Sequence, residues 1–146
     1  MMLATSAAWF ETSLAAMRGT TNIRDYLQAF HAADSALAVC ADRVVTASGA
    51  APDTPVAAGE PGQWRLESAF EAGAVSPMAQ WPGSLRAPQC LIEPWRLGTR
   101  AGTRAYLLTA RGFGRSKDAQ VWLQMALVIS GERIERHWRR VTARPF

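Results

Sequence analysis

The chain of 146 residues holds two histidines and two cysteines, the residue types that most often carry catalysis or hold a metal. A structural zinc site needs ligands at spacings such as C-x-x-C or H-x-x-H, and a nucleophilic hydrolase presents its serine in a turn such as G-x-S-x-G. Neither pattern occurs around His31, His137, Cys40 or Cys90. His31 falls toward the solvated side of a helical segment, the usual place of a surface histidine. Gly112-Phe113-Gly114 is a fragment of a glycine-rich loop without a following helix or a phosphate-binding lysine in register, so it reads as the end of a hairpin. The expectation is a protein with no catalytic residue, no cofactor, no metal and no small-molecule substrate.

Charge offers a second kind of chemistry. There are 16 basic and 12 acidic residues, a net charge of +4, and Lys117 is the only lysine beside fifteen arginines. The segment Glu132–Phe146 concentrates five of those arginines against two glutamates. Within it Arg136, Trp138, Arg139 and Arg140 form the one basic-and-aromatic cluster suited to contact with an anion or with DNA. Two readings compete with nucleic acid, and both rank above it. One is an arginine-rich edge strand kept soluble by its charge. The other is stacking of an arginine on Trp138 within the fold. A net charge of +4 is also modest beside dedicated DNA binders.

Hydropathy patterning shows which helices and strands carry these residues. Hydrophobic residues make up 49% and charged residues 19%, which suits a single globular domain over residues 1–146 and is too apolar for a disordered chain. No run approaches the roughly 20 apolar residues of a spanning helix. Over Asn22–Ala47, Ile23, Phe30, Leu37 and Val44 fall seven apart, with Tyr26, Ala33, Cys40 and Ala47 each three later and Leu27 and Ala41 at i+4 positions, which is an apolar helical stripe. Met1–Arg18 is alanine-rich and helix-prone. Gly19 and two threonines weaken its continuity with the next segment, so one long helix or two fit equally well. Residues 48–87 read as an irregular connection, with a short strand or short helix over Trp64–Phe70. Residues 88–142 read as an antiparallel sheet of about four strands. Cys90 and Ile92 share a face of the first strand, Thr103–Arg111 makes the second, and Val121, Leu123, Met125, Leu127 and Ile129 alternate along Ala119–Ser130, with Gln124 on the other face. Gly131-Glu132 then turns into a polar edge strand, Arg133–Thr142. The fold class is α+β, with the helix stripe covering one face of the sheet. Period places Cys40 and Cys90 on inward faces. Asp34 lies at the stripe margin, where it either pairs with an arginine or reaches solvent. Arg24-Asp25 opens the packed segment, as a local pair or as a contact between subunits.

Asn22-Ile23-Arg24-Asp25, Ala29-Phe30 and Ala32-Ala33-Asp34-Ser35-Ala36-Leu37 resemble the N-x-R-D-x-x-x-A-F-x-A-A-E-x-A-L signature of the minor type IV pilins of the PilX family. Pro88–Glu93 resembles that family's P-x-Y-x-I-E strand, Tyr106–Gly114 its Y-x-I-T-A-R-G-x-G hairpin, and Ala119–Met125 its V-x-L-Q strand. Asp34 stands where the family has Glu, and Cys90 where an aromatic residue is common. The resemblance implies a pilin-like fold, a long N-terminal helix packed on an antiparallel sheet, with residues 1–21 the remnant of a helix whose membrane-embedded half is missing. It implies a non-enzymatic subunit of the inner membrane, periplasm and extracellular pilus, of which the 146 residues would be a soluble fragment. Its partners would be other minor pilins and the major pilin, and the inner membrane through the missing helix. Its work would be pilus assembly and priming, with adhesion, twitching motility or DNA uptake. Arg24, Asp25 and Asp34 become candidate subunit contacts. In the oxidising periplasm so implied, Cys40 and Cys90 are expected to bond, closing a loop of about 50 residues, rather than to remain two buried thiols. The alternatives are a type II secretion pseudopilin and a nucleic-acid-binding module using Arg136, Trp138, Arg139 and Arg140.

Overall fold

The structure, a computed structural model, describes residues 2–47, 59–96 and 102–146. Its first element is one unbroken helix, α1 (Met2–Thr46), 45 residues and therefore about 68 Å long. The expected weak point at Gly19 and the threonines after it does not interrupt it. Thr20 and Thr21 donate their hydroxyls to the carbonyls of Ala16 and Met17 at 3.0 and 2.9 Å, and Thr12 and Thr46 do the same one turn back. These hydroxyls are thus satisfied by the helix's own carbonyls, without displacing its backbone bonds.

Four strands follow an irregular middle: β1 (Gln89–Trp95), β2 (Thr103–Phe113), β3 (Gln120–Ser130) and β4 (Arg133–Val141). They form an antiparallel meander in the order β1-β2-β3-β4, so β1 and β4 are the edges. Gly131 takes φ +60° in the two-residue turn from β3 to β4, a conformation that favours glycine. The open side of β1 is partly covered by Val75, which exchanges two 2.8 Å backbone hydrogen bonds with Cys90. The loop expectation for residues 48–58 lies outside the described residues. Within the rest of the middle region the undecided segment resolves into a short 3-10 turn (Gln63–Arg65) and a helix, α2 (Glu67–Gly73).

The second half of α1 lies on one face of the sheet. Ala29, Ala32, Ala33, Ala36, Leu37, Cys40 and Ala41 are buried, and many of them meet Tyr106, Leu108, Ala110, Val121, Leu123 and Leu127. These mostly small residues let the helix axis approach the strands closely. Gly112 marks the tightest point, since a Cβ there would sit 2.5 Å from the Ala33 nitrogen and within contact of the Ala29 carbonyl oxygen. The stripe read from the sequence is correct at its centre and fails at its ends. Leu37 is buried and Phe30 and Val44 are half-buried, but Ile23 is 63% exposed and Leu27 and Ala47 are exposed. A heptad drifts about 20° on a straight helix, and the sheet lies under only the second half of α1.

The opposite sheet face is also buried. Trp64, Phe70, Leu91, Leu107 and Trp122 form a second core there, with Trp95, Val141 and Phe146 against it. The 3-10 turn, α2 and the last residues of the chain therefore cover the side that a helix on one face would leave open. Gln124 sits on this side and is fully buried. Its amide donates to Thr109 Oγ1 at 3.0 Å and accepts from Arg139 Nε at 2.7 Å, so a polar ladder crosses β2, β3 and β4.

Candidate functional site

The first half of α1 has no sheet beneath it, and from Ala8 onward it carries apolar side chains into solvent. Trp9 is 78% exposed, and Phe10, Met17, Ile23 and Leu27 are exposed as well. Such a row on one rod is far more apolar surface than an isolated domain usually displays. Arg24 lies on this rod and is exposed. Asp25 turns inward instead: its carboxylate accepts from the backbone N–H of Arg115 and from the Ser116 hydroxyl, the latter at 3.1 Å. Gly114 makes room for it, because a Cβ at that position would collide with the Asp25 carboxylate. Asp25 thus ties the β2–β3 loop to the helix. Asp34, nine residues further on and about 14 Å along the axis, is exposed and has no arginine partner among the described residues. The structure does not bring Arg24, Asp25 and Asp34 into one cluster.

Cys40 of α1 and Cys90 of β1, 50 positions apart in sequence, form a disulfide with their Cα atoms 6.6 Å apart. Both residues are buried in the core under the helix, where the bond joins the helix to an edge strand. Closing a loop of that length removes unfolded-state entropy, and we expect reduction to lower stability by about 3 kcal/mol. Parallel urea titrations of the oxidised chain and of the reduced, alkylated chain measure this. An unchanged midpoint would mean that the bond does not constrain the fold.

The basic cluster on β4 is split by strand alternation. Arg136, Trp138 and Arg140 face the helix side and Arg139 the other. Arg139 is occupied by Glu60 and by Gln124. Arg140 stacks on the ring of Tyr26, its guanidinium carbon 5.0 Å from the centroid. Trp138 meets Phe30 edge-on at 6.3 Å and is 49% exposed. Stacking of an arginine within the fold thus occurs, but on Tyr26 of the helix; among the described residues none stacks on Trp138. Arg136 is exposed. His31 and His137 are both exposed and lie on separate elements.

A second polar constellation had no place in the sequence reading. Arg111 is only 3% exposed, and its guanidinium carbon lies 4.8 to 5.4 Å from the ring centroids of Phe70, Phe113, Trp122 and Phe146. Arg111 pairs with Glu71 and donates to Gln89 Oε1 at 3.0 Å through Nε. Burial works to raise the Glu71 carboxyl, but hydrogen bonds from Arg111, Gln89 and Arg86, with the charge of Arg111, hold it down at about 2. Glu93 of β1 is buried and accepts the backbone N–H groups of Gln63 and Trp64 at 3.0 and 3.2 Å, which fastens the 3-10 turn to the sheet. Burial pushes this carboxyl up, against the two donors. The available signal was an arginine in phase with Leu107 and Thr109 of β2, and a glutamate within the buried part of β1. Among the described residues no cluster of His, Cys, Asp or Glu is arranged to hold a metal ion.

A long helix with half its length on an antiparallel four-stranded meander and half free is the architecture of a pilin. The family described as type IV pilus assembly protein PilX, C-terminal, matches residues 11–129, and the chain belongs to that family. The helix block and the three strand blocks that carry the resemblance all fall inside the matched range. No curated protein and no solved structure matches the chain. The protein is accordingly a structural component of type IV pilus assembly and not an enzyme, and its family implies contact with other pilus components and a periplasmic or pilus location. Among the described residues no helix is long and apolar enough to cross a membrane.

Proposed function

We propose that this chain is a minor pilin which enters the pilus-priming complex from the inner membrane, contacting other minor pilins and the major pilin, and so supports pilus-dependent adhesion, motility or DNA uptake. One observation carries this reading: α1 is a single rod whose first half exposes Trp9, Phe10, Met17 and Ile23 while its second half is locked to the sheet. An apolar rod held rigidly clear of its own domain is suited to packing among like helices. Arg24 and Asp34, both exposed on α1, then set register with neighbouring subunits, since charge complementarity selects partner and orientation more than it adds affinity. A nucleic-acid role is less well supported, because Arg133 and Arg139 of β4 are paired with Glu135 and Glu60 within the fold.

Complementation tests the proposal. In cells lacking the gene, the full-length wild-type gene should restore surface pili, and the charge-reversed pair Arg24→Glu and Asp34→Arg should restore fewer at equal protein level. Normal piliation in the absence of the gene would overturn the assembly reading.

A further inference from the structure

A cleft of about 360 Å³ opens between α1 and the end of β4, lined in part by Tyr26, Gln120, Arg140, Thr142 and Arg144. The charged groups on its wall are the two arginines, with no carboxylate among them. The Tyr26 hydroxyl is buried and has no hydrogen-bond partner among the described residues, although buried polar groups in folded proteins are nearly always satisfied. The Arg140 guanidinium sits over the Tyr26 ring, its carbon 5.0 Å from the centroid, which puts a positive charge on the same side chain's face. Asp25, the acid nearest along the helix, is turned away to Arg115 and Ser116. Elsewhere several arginines have acidic partners: Glu71 for Arg86 and Arg111, Glu60 for Arg139. Among the described residues Arg140 and Arg144 have none.

We propose that this cleft is a carboxylate-binding site that receives an acidic side chain of another pilus subunit, held between Arg140, Arg144 and the Tyr26 hydroxyl. Two guanidinium groups around one recessed hydroxyl suit a single planar anion with two oxygens. A DNA backbone needs a line of free cations, and along β4 Arg133 and Arg139 are paired with Glu135 and Glu60. Position favours a protein partner too. Tyr26 lies where α1 leaves the sheet, between exposed Ile23 and Leu27, so a helix packing on those two residues passes the mouth of the cleft. The inference rests on the proposed role in assembly. It is tested separately from piliation, by backbone NMR of the oxidised chain at constant ionic strength. The probe is a capped Ala-Glu-Ala peptide, with Ala-Gln-Ala and a short DNA duplex as controls. Saturable shifts at Tyr26, Thr142 and Arg144 with the glutamate peptide alone are the expected result. Arg144→Gln should weaken binding about tenfold and Tyr26→Phe about threefold. Both variants keep the fold, since Arg144 is exposed and phenylalanine retains the ring. Equal shifts with the glutamine peptide, saturable binding of the duplex without the peptide, or no saturable shift would each overturn the proposal. A null result with restored piliation in the complementation assay would remove the cleft and leave the assembly reading standing.

Discussion

Replacing Gly112 with alanine is expected to cost about 4 kcal/mol, and replacing it with valine to prevent α1 from docking at all. The added Cβ meets backbone, namely the Ala29 carbonyl oxygen and the Ala33 nitrogen at 2.5 Å, with the Ala33 methyl at 3.0 Å. A flexible side chain could swing aside, but a helix backbone can only move as a rod. Lifting it pulls Ala29, Ala33, Leu37 and Cys40 away from Tyr106, Leu108 and Ala110, and overpacking of that kind sits at the severe end of core substitutions. Gly19→Ala is the matched control. That glycine is mid-helix with nothing within 4 Å, so alanine there should raise helicity and stabilise α1 locally by about 1 kcal/mol. Denaturant midpoints and far-ultraviolet circular dichroism of the two variants should move in opposite directions. A Gly112→Ala midpoint equal to wild type would mean that helix and strand are not in such close contact.

The same glycine shows how far the sequence could be read. Period gave the helix, the strands and the meander because each has a long apolar face, and it put Cys40 and Cys90 inward because both fall in phase with those faces. It could not say how close the two layers stand, since that depends on alanines opposite one glycine 80 or so positions away. It also placed Ile23 and Leu27 on the packed stripe, because a hydropathy pattern records which face is apolar and not where the sheet beneath it ends. The far side of the sheet was harder still. Gln124 looked like an outward polar residue, and alternation cannot distinguish water from a buried partner such as Thr109 or Arg139. The partners that bury this face, Trp64, Phe70 and Phe146, come from segments with no period of their own. Of the candidate site residues, Asp25 had two readings open, and only the fold shows its carboxylate held by Arg115 and Ser116.

Arg111 is where that hidden side can be probed most directly, and Arg111→Ala is expected to destabilise the protein by about 4 kcal/mol. The guanidinium is enclosed by Phe70, Phe113, Trp122 and Phe146 and holds Glu71 and Gln89, so truncation loses the ion pair, the ring contacts and the packing together. Arg111→Lys should recover little, because an ammonium cannot hold a carboxylate and an amide oxygen in one plane while lying against aromatic faces. Arg111→Met keeps most of the volume among the rings, and combined with Glu71→Gln it should cost less than Arg111→Ala, since no unmatched charge remains. Acid provides the second readout. The Glu71 carboxyl is held at about 2 against an ordinary 4.5, so its contribution is complete above pH 4.5 and is lost as the pH falls toward about 2. Glu93 acts in the opposite sense: burial raises its carboxyl, so its protonated form is the better tolerated one and it opposes acid unfolding. Glu71→Gln should therefore flatten the fall in stability between pH 4.5 and 2 while costing less than Arg111→Ala at neutral pH. Near-ultraviolet circular dichroism, sensitive to the packed rings of Phe70, Trp122 and Phe146, follows both experiments. An acid limb that persists unchanged in Glu71→Gln would show that this carboxylate is not what joins α2 to the sheet.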